Sequence, residues 1–310
     1  MLLGWIELIG GLLILLVGGE FLVRAAVKLA VHLKISAAVI GLTIVSFGTS
    51  FPELVVSVNA ALAGHPDISI GNVVGSNIAN LALVLGITAM IFPMVVERSN
   101  LVLDWPFMLI CSVLLIVFGY DLELARWEGL VLIMLLGVYN FWVIRNSRKN
   151  FKPDENDNAN SDTAGVLRSL LLLVVSVAGL IFGADILVDG AVVIARSFQV
   201  EERVIALTII AFGTSAPELA TSLVAVYRKE DGLSIGNLIG SNIFNILGIL
   251  GVTSILTPIP MNPSIVNVDF WWFIAIPLLI YPLFLTKLKV TRIEAALLLG
   301  SYLTYVWLLF

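Results

Sequence analysis

The chain has 310 residues, 59% of them hydrophobic and 13% charged, with 17 Lys and Arg against 22 Asp and Glu; its mean hydropathy is +1.05. Soluble domains carry about a quarter charged residues, so this composition excludes one and defines an all-α polytopic membrane protein whose first partner is the lipid bilayer. No basic stripe lies on any polar segment, which argues against nucleic acid as a partner.

From Leu2 the N-terminus is apolar and lacks the basic start of a signal peptide, so it reads as a retained first helix. Ten apolar runs follow one another, at approximately 2–31, 36–63, 68–92, 101–119, 127–145, 166–197, 203–227, 233–257, 269–286 and 293–310. Several exceed the roughly 20 residues that cross a bilayer, which predicts tilted or broken helices. Cys111, the single cysteine, falls inside the fourth run and reads as a packing residue. The one sizeable polar piece, 146–165, is rich in Asn, Asp, Lys and Arg and reads as a flexible linker. It divides the chain into 1–145 and 166–310.

Those two parts repeat each other. Adding 165 to a residue number lays Gly18–Pro93 onto Gly183–Pro258 without a gap. SIGNVVGSNIAN (69–80) and SIGNLIGSNIFN (234–245) agree at nine of twelve positions, and SFGTSFPELVVS (46–57) and AFGTSAPELATS (211–222) at eight of twelve. Five spans per half is an odd number, so the second half must enter the membrane from the opposite side. That is the inverted repeat of secondary transporters. Placing the linker in the cytoplasm puts fourteen Lys and Arg inside and only Arg126, Arg196 and Arg203 outside. By the positive-inside rule both termini then face the exterior.

Each copy of the first motif places a glutamate, Glu53 or Glu218, within an apolar run. A charged carboxyl at mid-membrane costs at least about 3 kcal/mol, which makes such a residue functional by default. Pro52 lacks an amide hydrogen, so the Gly48 carbonyl loses its helical partner and the helix bends or breaks. In lipid that carbonyl needs another partner, and a bound cation would serve. Thr49 and Ser50 lie one turn before Glu53, and Gly213, Thr214, Ser215 and Pro217 repeat the arrangement before Glu218. In the next span Asn72, Ser76 and Asn80 form a polar stripe on one helical face, as do Asn237, Ser241 and Asn245. Gly71 with Gly75, and Gly236 with Gly240, form GxxxG pairs expected to bring each helix close to a neighbour. Taken singly, a proline is a kink, a GxxxG is packing, and a hydroxyl bonds back to its own helix. Their coincidence at one offset points to a site built from oxygen alone, which suits calcium or sodium rather than zinc or copper. Glu20 and Arg24 are i, i+4 partners expected to form a helix-end salt bridge outside it, and their mates Asp185 and Asp189 are expected near the interface.

GTSFPE with IGNVVGSNIAN, and GTSAPE with IGNLIGSNIFN, resemble the two α-repeats of the cation/calcium exchanger superfamily, specifically its prokaryotic sodium/calcium exchangers. The resemblance covers essentially the whole chain. It implies ten transmembrane helices in two inverted five-helix repeats, with long first and sixth spans sliding across a core. It also implies ion ligands at Thr49, Ser50, Glu53, Ser76 and Asn80, then Thr214, Ser215, Glu218, Ser241 and Asn245, with backbone carbonyls near Ser46 and Ala211. One position varies in that family, since some members carry aspartate where this chain has Asn245. The implied function is an antiporter in the plasma (inner) membrane of a prokaryotic cell, moving calcium against sodium, with no cofactor and no enzymatic activity. A monomer is compatible with all of this. The same glutamates could instead carry protons in a calcium/proton antiporter; the many neutral oxygens, which a proton does not need, favour sodium. An intramembrane hydrolase would need a base beside Ser50 or Ser215, and the motifs hold no histidine.

Overall fold

The computed structural model describes residues 2–151, 163–200 and 211–308. Helix α1 (Leu2–Leu33) opens the chain. Next come α2 (Ala37–Thr49), α3 (Phe51–Leu62), α4 (Pro66–Ile91), α5 (Asn100–Asp121) and α6 (Arg126–Asn150). The second half holds α7 (Thr163–Ser197), α8 (Ala211–Thr214), α9 (Ala216–Tyr227), α10 (Asp231–Leu256), α11 (265–287) and α12 (Arg292–Leu308). Seven of these helices are long and apolar enough to cross a membrane, and the bent pair α2–α3 makes an eighth. The chain is a multi-pass membrane protein. The polar stretch after the fifth run starts later than expected, because α6 continues to Asn150 with Arg148 and Lys149 in its last turn, where cations suit the helix dipole. Residues 201–210, predicted to begin the seventh span, lie outside the described residues.

The proline-directed breaks are present. At Ser50 the backbone leaves helical geometry, with ψ of 9°, and α2 and α3 meet at 46°. Ser215 does the same between α8 and α9, with ψ of 1°. In both cases a proline occupies the first turn of the following helix, where its missing donor costs nothing. Several helices also widen into π-helical turns, at 41–45 in α2, 79–84 in α4, 100–104 in α5, 245–249 in α10 and 265–269 in α11. Such turns re-aim side chains and loosen carbonyls, and they recur at functional sites. Two of them begin beside Asn80 and at Asn245.

The two longest helices, α1 and α7, lie along one another in backbone contact. A Cβ on Gly11 would sit 2.5 Å from the Leu187 nitrogen, and one on Gly190 would sit 2.4 Å from that of Leu8. Of the long helices, α4 and α10 are the most buried, which leaves the remainder as a lipid-facing shell around them. Four two-residue strands tie the halves together. β1 (Met94–Val95) pairs with β4 (Lys289–Val290), and β2 (Glu123–Leu124) with β3 (Ile259–Pro260), both antiparallel.

Correspondence between the halves continues beyond Pro93, where the sequence alignment stops. Asp104 of α5 accepts from the Tyr139 hydroxyl of α6 at 2.8 Å, and Asp269 of α11 accepts from Tyr305 of α12 at 3.2 Å. Glu128 caps the start of α6 through the Ala125 amide, and Glu294 caps α12 through that of Thr291. Asp104 and Asp269 are carboxylates inside apolar runs and stand 165 positions apart. The same offset that found the glutamates would have found this pair.

Candidate functional site

The two breaks bring the glutamates to the centre. Glu53, in the first turn of α3, and Glu218, in the first turn of α9, are both 0% exposed. They lie within electrostatic reach of each other. Ser50, at the first break, donates to Glu218 Oε1 at 3.2 Å, so a residue of one half touches the carboxylate of the other. Glu218 Oε2 and both carboxylate oxygens of Glu53 have no hydrogen-bond partner among the described residues. Leaving a buried carboxylate uncompensated costs several kcal/mol. Such groups are retained where a cation completes them.

Around them stand neutral oxygens. Thr49 Oγ1 lies 3.2 Å from Asn237 Oδ1, 3.5 Å from Ser241 Oγ and 3.4 Å from the Ser46 carbonyl. Ser46 turns its own hydroxyl back onto the Leu42 and Thr43 carbonyls. Asn72 donates to the Glu53 carbonyl at 3.2 Å and to Ser57 at 2.9 Å, which holds α4 against the start of α3. Ser76, Asn80, Ser215, Ser241 and Asn245 are all buried. Among the described residues neither amide atom of Asn80 nor the hydroxyl of Ser215 finds a hydrogen-bond partner, and Asn245 Oδ1 is likewise unmatched. Thr214 is half-buried, and Ala211 opens the short helix α8. Direct contacts thus link Ser46, Thr49 and Ser241, and separately Ser50 with Glu218, and each group spans the halves. Ser76, Asn80 and Ser215 are buried as well, and among the described residues no hydrogen bond joins their side chains to these groups. Among the described residues no group of three His, Cys, Asp or Glu is placed to hold a metal; the donors here are two carboxylates and neutral oxygens.

The GxxxG expectation is met in the second half. Gly236 and Gly240 do bring α10 onto α2, since a Cβ on them would meet the Ala38 and Leu42 carbonyls at 2.2 and 2.4 Å. For α4, a Cβ on Gly71 or Gly75 would meet none of the described residues within 4 Å. The motif is the same, but positions 203 and 207, which match Ala38 and Leu42 at the repeat offset, lie outside the described residues. Outside the site, Glu20 pairs with Arg24 as expected and also with Arg228 of the α9–α10 turn, a contact over 208 positions. Asp185 and Asp189 are exposed on α7. Asn77, absent from the polar stripe, turns out to bridge the halves through Asn242 and Asn245. Its signal was available, since Asn77 and Asn242 are identical residues at the repeat offset.

A helical membrane protein with two buried carboxylates from matched broken helices, caged in oxygen, belongs to the class of cation carriers. The sequence profile described as "sodium/calcium exchanger protein" matches residues 3–145 and 168–310, and the chain belongs to that family. The sodium/calcium exchanger MaX1 of Methanosarcina acetivorans is 31% identical, with 97% of this chain and 96% of that protein covered. Inner membrane protein YrbG of Escherichia coli is 34% identical over 87% of this chain and 85% of its own length. Among solved structures, the sodium–calcium exchanger NCX_Mj superposes with a TM-score of 0.84 at 35% identity, covering 99% of this chain and 98% of the other. The family and this structural match establish cation exchange transport as its work, and its relatives are transporters rather than enzymes.

Proposed function

We propose that this protein is a secondary antiporter that exchanges calcium for sodium by alternating access, holding the ions at mid-membrane between Glu53 and Glu218. The observation that carries the reading is the pair of fully buried carboxylates with three of their four oxygens unpartnered inside a shell of neutral oxygens. Thr49, Ser50, Ser76, Asn80, Thr214, Ser215, Ser241, Asn245 and the carbonyls near Ser46 and Ala211 complete the ligand set. One calcium ion cancels the two negative charges, and so do two sodium ions. Loading is then mutually exclusive, which is the basis of exchange. With neither ion bound, two like charges face a dry interior, so that state is the most costly to enclose and carry across, and leak is suppressed.

The architecture in this reading is ten spans in two inverted five-helix repeats, 1–145 and 166–310, joined by a cytoplasmic linker. Both termini face outward from a prokaryotic plasma membrane. The matched breaks at Ser50 and Ser215 support it, as do the crossed strand pairs and the equivalent Asp–Tyr pairs. Neutral oxygens beside the glutamates favour sodium over protons, because a proton needs only the carboxylate. Crystals of NCX_Mj soaked with sodium and calcium point the same way. The test is calcium titration of purified protein by calorimetry. Glu53→Gln and Glu218→Gln should each keep the fold and lose calcium binding by at least about a hundredfold, the effect of removing one buried charge partner. Binding near wild type in either variant would remove the site.

A further inference from the structure

The ligand carboxamides of the two halves are held differently. Asn245 Nδ2 donates to Asn77 Oδ1 at 2.9 Å, and Asn77 Nδ2 donates to the Asn242 carbonyl at 3.2 Å; all three residues are buried. A backbone carbonyl can only accept, so it fixes which end of the Asn77 amide faces α10. That in turn points Asn77 Oδ1 at Asn245 and requires Asn245 to answer with its NH2. The Asn245 oxygen, which has no protein partner, is thereby the end left for a cation. Behind Asn77 and Asn242, the crevice lined by Met108, Ser112, Phe273 and Pro277 is too narrow for a water molecule. No water is therefore accommodated behind Asn77 on that side. In the other half the matching control is missing, because Asn242 donates to Leu238 of its own helix at 2.9 Å. Asn80 has no hydrogen-bond partner on either amide atom among the described residues.

We infer that Asn77 is a positioning residue for cation binding: it locks the Asn245 amide with its oxygen toward the ions, while the equivalent Asn80 amide is left to rotate. This rests on the reading of Asn245 as an ion ligand. An amide turned the other way would present an NH2 group to a cation, which repels it. The lock is what makes a neutral residue dependable as an oxygen donor. A carboxylate at 245 would have oxygen at both ends and would need no such orientation.

The test compares calcium KM for sodium-driven uptake in proteoliposomes across N245A, N77A, N245D and the N77A/N245D double variant, with thermal melting in detergent as a fold control. N245A should raise calcium KM, which establishes the ligand independently of Asn77. N77A should raise it about five- to tenfold, the scale of one misdirected polar contact, with kcat changed less. In the N245D background the same N77A change should move KM less than about twofold, since both oxygens of the carboxylate are equivalent. If N245A leaves KM unchanged, Asn245 is not a ligand and there is nothing to orient. If N245A raises KM but N77A does not, the ligand stands and the positioning role is refuted. An equal N77A loss in both backgrounds would show that Asn77 only holds the helices together, and would also overturn the inference.

Discussion

Helix α10 presses Gly236 and Gly240 onto the carbonyls of α2 and has its Asn245 amide held by Asn77; helix α4, with the same glycines and the same asparagine, meets no described residue at Gly71 and Gly75, and Asn80 has no hydrogen-bond partner among the described residues. Nine of twelve residues agree between these stretches, so the contrast comes from what packs against them. A repeated motif secures the same chemistry at the same depth, but each copy meets different neighbours. Among the described residues, one half of the site is thereby braced at backbone contact, and in the other Asn72 of α4 bonds to Glu53 and Ser57 of α3.

That comparison can be tested most severely on its topology. If the halves are inverted, single cysteines at Asp67, beside the turn before α4, and at Lys229, in the equivalent turn before α10, both exposed, should react with impermeant reagents from opposite sides of the membrane in a Cys111→Ala background. Labelling of both from one side would break the correspondence between the halves. The glycine contrast comes next in size. Gly240→Ala places a methyl 2.4 Å from the Leu42 carbonyl, and forcing backbones apart should lower the melting temperature by about 5 °C or more. Gly75→Ala meets none of the described residues, and its better helix propensity should leave stability unchanged or slightly higher. Equal losses at both positions would mean that α4 is packed as tightly as α10.

Smaller effects are expected at the paired tyrosines. Tyr139→Phe takes the 2.8 Å donor from the buried Asp104, which keeps Asn100 at 3.1 Å as its second partner. The expected loss is about 1–3 kcal/mol in detergent melting. Tyr305→Phe breaks a longer bond to the half-buried Asp269 and should cost less. The reverse order would contradict the burial argument. Smallest of all is the effect of Glu230 in the α9–α10 turn, whose carboxyl is raised above its ordinary value, first by burial and then by the charge of Asp231. A raised acid holds its proton more tightly in the folded state, so its contribution is present at low pH. That contribution falls as pH rises from about 4.5 through the raised value. Glu230→Gln should flatten that slope, and a steeper slope in the variant would reverse the assignment.

The sequence made much of this visible for identifiable reasons. A carboxylate in an apolar run cannot be missed, a proline announces a lost helical bond, and a fixed offset shows both twice. The breaks at Ser50 and Ser215 and the burial of Glu53 and Glu218 follow directly. What stayed hidden depends on which surfaces meet. Glu20 and Arg24 are legible as i, i+4 neighbours, but Arg228 joins them only through the fold. Asn77 lies off the 72–76–80 stripe, and its importance arises where α4 crosses α10 beside two π-helical turns. The glycines of α4 and α10 read alike because GxxxG describes a helix face and says nothing of the neighbour across from it.

The central claim is that two buried glutamates let calcium and sodium compete for one set of oxygens. It is tested most directly by calcium uptake into proteoliposomes loaded with sodium, compared with vesicles holding only a proton gradient and with Glu53→Gln and Glu218→Gln protein. The account predicts rapid uptake driven by outward sodium, little or none driven by protons, and loss of the sodium-driven flux in both variants. Uptake driven by protons alone would make the glutamates proton carriers, and undiminished sodium-driven uptake in either variant would contradict the site itself.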